Sequence, residues 1–90
     1  MIRILMVCMG NICRSPLAEG ILTYKIKKYY KNAMADSAGT ISMHTGEAPD
    51  IRSIQVGLLH NIDIRNLRAR QFKLSDFDNF DHIYVMDSNN

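Results

Sequence analysis

The sequence lacks the features that would assign it to a membrane, to secretion or to nucleic acid. Its 90 residues carry a net charge of only +2, which does not indicate a nucleic-acid partner. No segment approaches the about 20 apolar residues that span a bilayer. The apolar residues 1–8 are too few for a secretory signal, and no cleavage site follows them. We therefore expect a cytoplasmic protein, and the 47% hydrophobic content indicates one folded domain over residues 1–90.

Cysteine and histidine are also scarce, which argues against a metal centre. The two cysteines, Cys8 and Cys13, are five positions apart, whereas structural zinc sites pair cysteines at closer spacing and need further ligands. The three histidines, His44, His60 and His82, show no paired spacing. We expect neither a metal nor a cofactor. Two neighbouring cysteines, one of which is a candidate thiolate, fit the reducing cytoplasm.

The most informative segment is residues 8–15, Cys-Met-Gly-Asn-Ile-Cys-Arg-Ser, between an apolar run and helix-forming residues. A strand–loop–helix unit of this kind can wrap its N–H groups around a tetrahedral oxyanion, and the helix dipole adds to the attraction. Gly10 permits a tight turn, Asn11 tolerates a left-handed backbone, and the fork of Arg14 matches two phosphate oxygens. We predict that phosphate or sulfate can occupy this loop. Its phosphate-binding residues would be Met9, Gly10, Asn11, Ile12, Cys13, Arg14 and Ser15.

Cys8 stands where a nucleophile would face the bound phosphate. The loop N–H groups, the helix dipole and Arg14 all favour its thiolate, so we predict a pKa below the usual value of about 8.5. Such a thiolate could attack phosphorus and form a phosphocysteine that water later hydrolyses. Two other interpretations remain open, because Cys8 could be a small buried hydrophobe or half of a metal site.

Apolar periodicity indicates an α/β fold. Strands and helices alternate, which favours a three-layer architecture with an open parallel sheet of order 2-1-3 and helices on both faces. This order places the loop at the carboxyl end of strand 1, where open α/β sheets bind ligands. The predicted elements are a strand at 2–7, a helix at 16–31, a helix opened by Pro49, a short helix within 74–80 and a strand at 82–86. A strand at 33–37 is weak by propensity, and its assignment rests partly on a family resemblance carried by residues 36–40.

Several side chains have predicted positions at the ends of these elements. Ser15 is expected to cap the first helix, and Asn61 suits the left-handed position that ends the second. Phe77 and Phe80 are expected to face inward, whereas Asp76 is interpreted as a solvated or turn residue.

Residues 7–19 resemble the signature of the low-molecular-weight protein tyrosine phosphatases nearly residue for residue. Residues 36–40, 44–50, 69–72 and 80–87 resemble further segments of that family in the same order. The resemblance covers essentially the whole chain.

The resemblance implies a cysteine-dependent phosphatase that hydrolyses phosphotyrosine proteins or small aryl phosphates through a phosphocysteine. It implies catalytic roles for Cys8 as nucleophile and Arg14 as phosphate clamp. The other implied roles are loop support by Asn11, Ser15 and Ser37, a substrate rim of Met43 and His44, and a redox partner, Cys13, for the nucleophile.

Two departures from the family pattern affect these expectations. Leu67 stands where many members carry a histidine of the support network. The general acid of the family lies in an Asp-Pro motif, and here the two prolines follow Ser15 and Ala48. We expect a chain truncated before the acid loop and lacking the last strand and helices of the family. Its activity would be impaired, with Asp87 as a weak substitute acid.

The strand at 82–86 would form a sheet edge, so we expect self-association or segment exchange there. Two other functions stay open. One is a non-catalytic phosphate- or phosphotyrosine-binding module. The other is an arsenate reductase, but its disulfide relay needs further cysteines after Cys13, and this sequence has none there.

Overall fold

The computed structural model describes residues 1–30 and 32–86 and contains a three-stranded parallel sheet. The strand order is β2-β1-β3, as the sequence predicts, and helices pack against the sheet. Strand β1 therefore lies between its two neighbours. The elements are β1 (Ile2–Cys8), α1 (Arg14–Lys25) with a π-helical turn (Ile26–Tyr30), β2 (Ala33–Gly39), α2 (Ile51–Leu59), α3 (Asp76–Asn79) and β3 (His82–Val85).

The core lies at the centre of the sheet. Leu5 and Val7 of β1 are 0% and 2% exposed, and Ala38 of β2 is 0% exposed. Phe72, Phe80 and Ile83 pack against this cluster as partly buried residues. A buried central strand of this kind matches the nearly continuous apolar run of residues 2–7. It fixes the position of Cys8, the last residue of β1, which pairs with Gly39.

Helix α1 begins two residues earlier than the sequence predicts. Cys13 occupies the N-cap position without a side-chain cap hydrogen bond, and the helix starts at Arg14. The prediction that Ser15 caps the helix is wrong, because its hydroxyl is 0% exposed and contacts the sulfur of Cys8 instead. Pro16 falls in the first turn, where the missing N–H is tolerated.

Helix α2, in contrast, begins later than predicted, at Ile51 rather than Pro49. Asp50 is its N-cap, and its carboxylate accepts a hydrogen bond from the N–H of Arg52 at 2.8 Å. This bond satisfies one of the free N–H groups of the first turn. Asn61 has a φ of 62°, which confirms its predicted left-handed conformation after the helix.

Helix α3 differs most from the prediction. Phe80 packs on the core as expected, but Phe77 is 63% exposed, so its inward assignment is wrong. Asp76, predicted to be solvated, is 1% exposed and pairs with Arg70. The hydrophobic pattern alone gave no sign of that buried carboxylate, because acidic residues in the first turn of a helix usually face water.

Strand β3 lies at an edge of the sheet and pairs with β1. Its start is anchored where the carboxylate of Asp81 accepts a hydrogen bond from the N–H of Arg3 at 2.8 Å. Tyr84 and Val85 are 54% and 66% exposed. After the strand, the N–H of Met86 donates to the carbonyl oxygen of Val7 at 2.6 Å, which extends the pairing towards the carboxyl end of β1.

Candidate active site

Residues 9–13 form the loop between β1 and α1, and neighbouring segments hold its carbonyl groups from outside. The N–H groups of Thr40 and Ile41 donate to the carbonyl oxygens of Cys8 and Met9, both at 3.0 Å. On the other side, the N–H of Asp50 donates to Ile12 at 2.6 Å. On the inner side, the N–H groups of Gly10, Asn11 and Ser15 are directed at Cys8, which is the arrangement of an anion-binding nest.

A left-handed asparagine and two closely packed glycines fix the shape of the loop. Asn11 has a φ of 57°, the left-handed conformation that the sequence predicts for this residue. A Cβ on Gly39 would lie 2.9 Å from the carbonyl oxygen of Met9, so only glycine lets β2 approach the loop this closely. At Gly10 the reason is different, because a Cβ there would meet the ring of His44 at 3.0 Å.

The sulfur of Cys8 lies beneath this loop and is surrounded by donors. Its side chain is buried, the N–H of Asn11 donates to Sγ at 3.3 Å, and Ser15 Oγ lies 3.0 Å away. Burial alone would raise the pKa of the thiol. Hydrogen bonds, the largest from the Ser15 hydroxyl and others from the N–H groups of Ser15, Asn11 and Gly10, outweigh it and lower the pKa below the usual value. The thiolate is thus favoured, in the direction predicted.

A buried polar network supports the loop from behind, and its centre is Asn11, which is 2% exposed. The side-chain amide of Asn11 donates to Ser15 Oγ at 2.7 Å and to Ser37 Oγ at 2.9 Å. Its carbonyl oxygen accepts a hydrogen bond from the N–H of Arg70 at 2.9 Å. The structure therefore brings together the three residues that the family resemblance implies as loop support.

Sequence reasoning missed a member of the network, Glu19. The hydroxyl of Ser37 donates to Glu19 Oε1 at 2.6 Å. Burial raises the pKa of the Glu19 carboxyl, and the nearby Asp36 adds to this, although Ser37 and Arg70 act in the opposite direction. Glu19 was visible only as the last residue of the signature run, which gave it no role of its own.

A second missed feature is a pair of carboxylates that hold Arg70. Its guanidinium donates to both oxygens of Asp76 at 3.1 Å and to Asp36 at 3.2 Å. The side chains of Arg70 and Asp76 are 29% and 2% exposed. Because the N–H of Arg70 holds Asn11, these carboxylates anchor the back of the loop as well as the fold.

A cavity of about 230 Å³ is lined by Cys8 and other residues of the loop. Arg14 lies on its wall, at the first residue of α1. Met86, from the end of β3, was not predicted as a site residue. Its place directly after a strand beside β1 was the available signal, because the carboxyl ends of parallel strands meet at one sheet edge. The lining residues are Cys8, Met9, Gly10, Ile12, Cys13, Arg14 and Met86.

The predicted rim residues lie outside this lining. Met43 is 74% exposed. The imidazole of His44 packs against Gly10 and its Nδ1 lies 3.2 Å from the carboxylate of Glu47. His44 therefore lies beside the loop at the border of the cavity. Asp87, the weak candidate for a general acid, lies outside the described residues.

Both cysteines are free thiols, with Cys8 buried and Cys13 exposed. Burial raises the pKa of the Cys13 thiol, and the charges of Asp50 and Cys8 raise it further. The pKa values of the two thiols are therefore shifted in opposite directions, although both cysteines flank the same loop. In residues 1–30 and 32–86, no group of three or more His, Cys, Asp or Glu side chains that could hold a metal ion was found.

Comparison with known proteins places this loop and fold in a family. A model described as low molecular weight phosphotyrosine protein phosphatase matches residues 3–90. A Schizosaccharomyces pombe protein of that name is 44% identical over 92 residues, which cover 99% of this chain and 58% of the yeast protein. The crystal structure of YfkJ from Bacillus subtilis superposes with a TM-score of 0.92 at 39% identity, covering 100% of this chain and 58% of that one.

A product-state mimic of a protein tyrosine phosphatase from Entamoeba histolytica gives a TM-score of 0.91 at 39% identity, again covering 100% of this chain and 58% of that one. The chain thus spans a little over half the length of the relatives it matches. None of the helices in the described part of the chain is long and apolar enough to cross a membrane. On the signature loop, the sheet order and the family match together, the chain belongs to the low molecular weight phosphotyrosine protein phosphatase family.

Proposed function

We propose that this chain is a cysteine-dependent phosphatase that acts on phosphotyrosine or other aryl phosphates. The observation that carries the proposal is Cys8, whose thiol pKa is lowered by hydrogen bonds and which lines the same cavity as Arg14. Family membership supports the same reaction class. The apolar side chains of Met9, Ile12 and Met86 on the cavity wall suit an aromatic ring next to the phosphate.

The proposed reaction has two steps. In the first, the Cys8 thiolate attacks phosphorus opposite the ester oxygen, the S–P bond forms, and the P–O bond breaks to release a phenolate. Arg14 and the loop N–H groups bind the other phosphate oxygens as charge develops on them. In the second, water attacks phosphorus, the S–P bond breaks, and the thiolate leaves with a hydrogen bond from the Ser15 hydroxyl.

We further propose that the 90-residue chain carries out the first step poorly on natural substrates, because an Asp-Pro pair is not part of its sequence. A general acid contributes typically 10²–10⁴-fold when the leaving group needs a proton. A good leaving group depends on it much less. The proposed deficiency is therefore one of leaving-group protonation, with the thiolate and the anion site intact.

The test compares p-nitrophenyl phosphate, whose leaving group needs little protonation, with phosphotyrosine. We expect turnover of the first and a value of kcat/KM for the second that is lower by about 10²-fold or more. Cys8→Ser should abolish turnover while inorganic phosphate still binds. Equal turnover of both substrates would contradict the missing-acid proposal, and no turnover of either with phosphate still bound would favour the alternative of a phosphate- or phosphotyrosine-binding module.

We also propose that Cys13 is a redox partner of Cys8. Peroxide would oxidise the Cys8 thiolate to a sulfenic acid, and the Cys13 thiolate would then displace hydroxide to form a reversible disulfide. The two free thiols suit a reducing cytoplasm, which is the location that we propose for the chain.

We propose, finally, that the chain self-associates through edge strand β3. The exposed side chains of Tyr84 and Val85 on this strand support pairing with a second copy of the chain.

A further inference from the structure

The hydrogen bonds behind the loop form one continuous path from Glu19 to the sulfur of Cys8. Each contact in this path is between 2.6 and 3.0 Å, through Ser37, Asn11 and Ser15 in that order. Ser37, Asn11 and Ser15 are 4%, 2% and 0% exposed, so water does not compete for these groups. The path runs from helix α1 through β2 and the loop, and it returns to the first turn of α1.

Two groups with fixed roles set the direction of the protons along this path. The N–H of Arg70, which contacts Asn11 from the side, can only donate, so Asn11 must present its carbonyl oxygen to Arg70 and its NH₂ group to the two serines. At the start of the path, an ionised Glu19 can only accept, so Ser37 must donate to it. Ser37 Oγ is then left to accept one N–H of Asn11, and Ser15 Oγ accepts the other.

These assignments leave the proton of Ser15 one partner in the path, the sulfur of Cys8. The 3.0 Å contact between Ser15 Oγ and Sγ could run in either direction if it stood alone. With Ser15 already accepting from Asn11, its O–H donates to the sulfur, which favours the thiolate. Aligned hydrogen bonds also polarise one another, so the negative charge of Glu19 strengthens the later members of the chain.

We propose that Glu19 is a positioning residue for the phosphatase site, acting through Ser37, Asn11 and Ser15 to hold the Cys8 thiolate. The inference rests on the proposed function only in that the thiolate is the nucleophile. Without the carboxylate, Ser37 can turn its proton towards Asn11, and the amide then loses the geometry that fixes Ser15. Glu19 contacts Ser37 and not the sulfur, so it affects the Cys8 thiolate only through the residues between them.

The groups that face Glu19 from other elements determine the pH range in which its carboxyl is charged. Burial is the largest influence and raises its pKa, and Asp36 of β2 acts in the same direction. Ser37 of β2 and Arg70, from the segment after α2, favour the ionised form. The negative charge that favours this orientation of the path is therefore fully present only above the raised pKa of Glu19.

The test is the pKa of the Cys8 thiol, taken from the pH dependence of alkylation by iodoacetamide in the full chain carrying Cys13→Ser. Glu19→Gln should raise that pKa by about one pH unit, the size expected when one hydrogen bond to a charged group is weakened. The sign is decisive, because removing a nearby negative charge would by direct electrostatics lower the thiol pKa. Asp63→Asn, which removes a surface carboxylate paired with Arg65, serves as the matched control and should leave the pKa of the Cys8 thiol unchanged.

A double-mutant cycle separates transmission from general loosening of the fold. Ser37→Ala should raise the thiol pKa by a similar amount, and adding Glu19→Gln to it should have little further effect. A pKa that falls or stays unchanged in Glu19→Gln, or fully additive effects of the two variants, would overturn the proposal. Because alkylation needs no turnover, a chain that hydrolyses no phosphate ester could still show the effect, so this proposal and the proposed function fail separately.

Discussion

Asp76 and Arg70 form a two-pronged ion pair, with both carboxylate oxygens 3.1 Å from the guanidinium nitrogens. Asp76 also accepts the N–H of Lys73 at 2.9 Å. The pair joins the short helix α3 to the segment whose N–H holds Asn11 of the loop. It therefore links the stability of the fold to the shape of the site.

The first prediction is that Asp76→Asn strongly destabilises the protein. The carboxylate is 2% exposed and its loss would leave the positive charge of Arg70 with only Asp36. Breaking a buried pair on one side costs about 3 kcal/mol. Urea denaturation should show this loss in the free energy of unfolding. Asp78→Asn, an exposed carboxylate of the same helix, should change it by less than about 0.5 kcal/mol. A loss of similar size in both variants would contradict the assignment.

The second prediction concerns the order in which the two cysteines react. Cys13 is the more exposed, but its pKa is raised, whereas that of Cys8 is lowered. Since the thiolate is the reactive form, iodoacetamide at pH 6 should modify Cys8 first. Peptide mass spectrometry identifies the modified residue. Inorganic phosphate should slow the reaction at Cys8. Faster modification of Cys13 would mean that accessibility, and not the hydrogen bonds of the loop, governs reactivity.

The parts of the molecule that the sequence predicts share a local physical cause. The strand of residues 2–7 follows from its apolar run, and the left-handed Asn61 and Asn11 follow from the tolerance of asparagine for that backbone. The sheet order follows from alternating elements and right-handed crossovers. The loop residues were found because one short segment carries them all.

The missed residues depend on contacts between distant segments. Asp76 looks like any acidic residue in the first turn of a helix until Arg70 is placed beside it. Ser15 is a residue type that commonly caps helices, but its hydroxyl hydrogen-bonds to the sulfur of Cys8, and Cys13 occupies the cap position. Met86 enters the cavity only because β3 lies beside β1. Tertiary contacts decided each of these, and propensity could not.

The third prediction follows from the raised pKa of Glu19. The folded protein holds this proton more tightly than the unfolded chain, whose value is near 4.5. Any stability that Glu19 contributes is therefore fully present below that pH and is lost as the pH rises through the raised pKa. The free energy of unfolding of the wild type should therefore fall relative to that of Glu19→Gln as the pH rises above about 4.5. Glu19→Gln would thus gain stability relative to the wild type as the pH rises and yet have the less reactive Cys8.

Asp63→Asn provides a control of opposite sign. The hydrogen bonds from Arg65 lower the pKa of Asp63 from 3.8 to about 2. Its contribution is present above 3.8 and is lost only as the pH falls towards 2, so the difference from the wild type should be constant between pH 4 and pH 7. Denaturation curves at a series of pH values measure both variants. If the difference in unfolding free energy between Glu19→Gln and the wild type stayed constant over the same range, the pKa of Glu19 would not be raised.

The fourth prediction is that the 90-residue chain self-associates through β3. This strand lies at a sheet edge, and Val85 is 66% exposed within it. A charged side chain on an edge strand disfavours pairing with another copy, so Val85→Lys should shift the population towards monomer. Leu74→Lys is the matched control, because Leu74 is 83% exposed and lies outside the strand. Size-exclusion chromatography with light scattering over a concentration series measures the change. A wild-type chain that stays monomeric at the highest concentration would contradict self-association, and an equal effect of both lysines would show that the contact does not depend on β3.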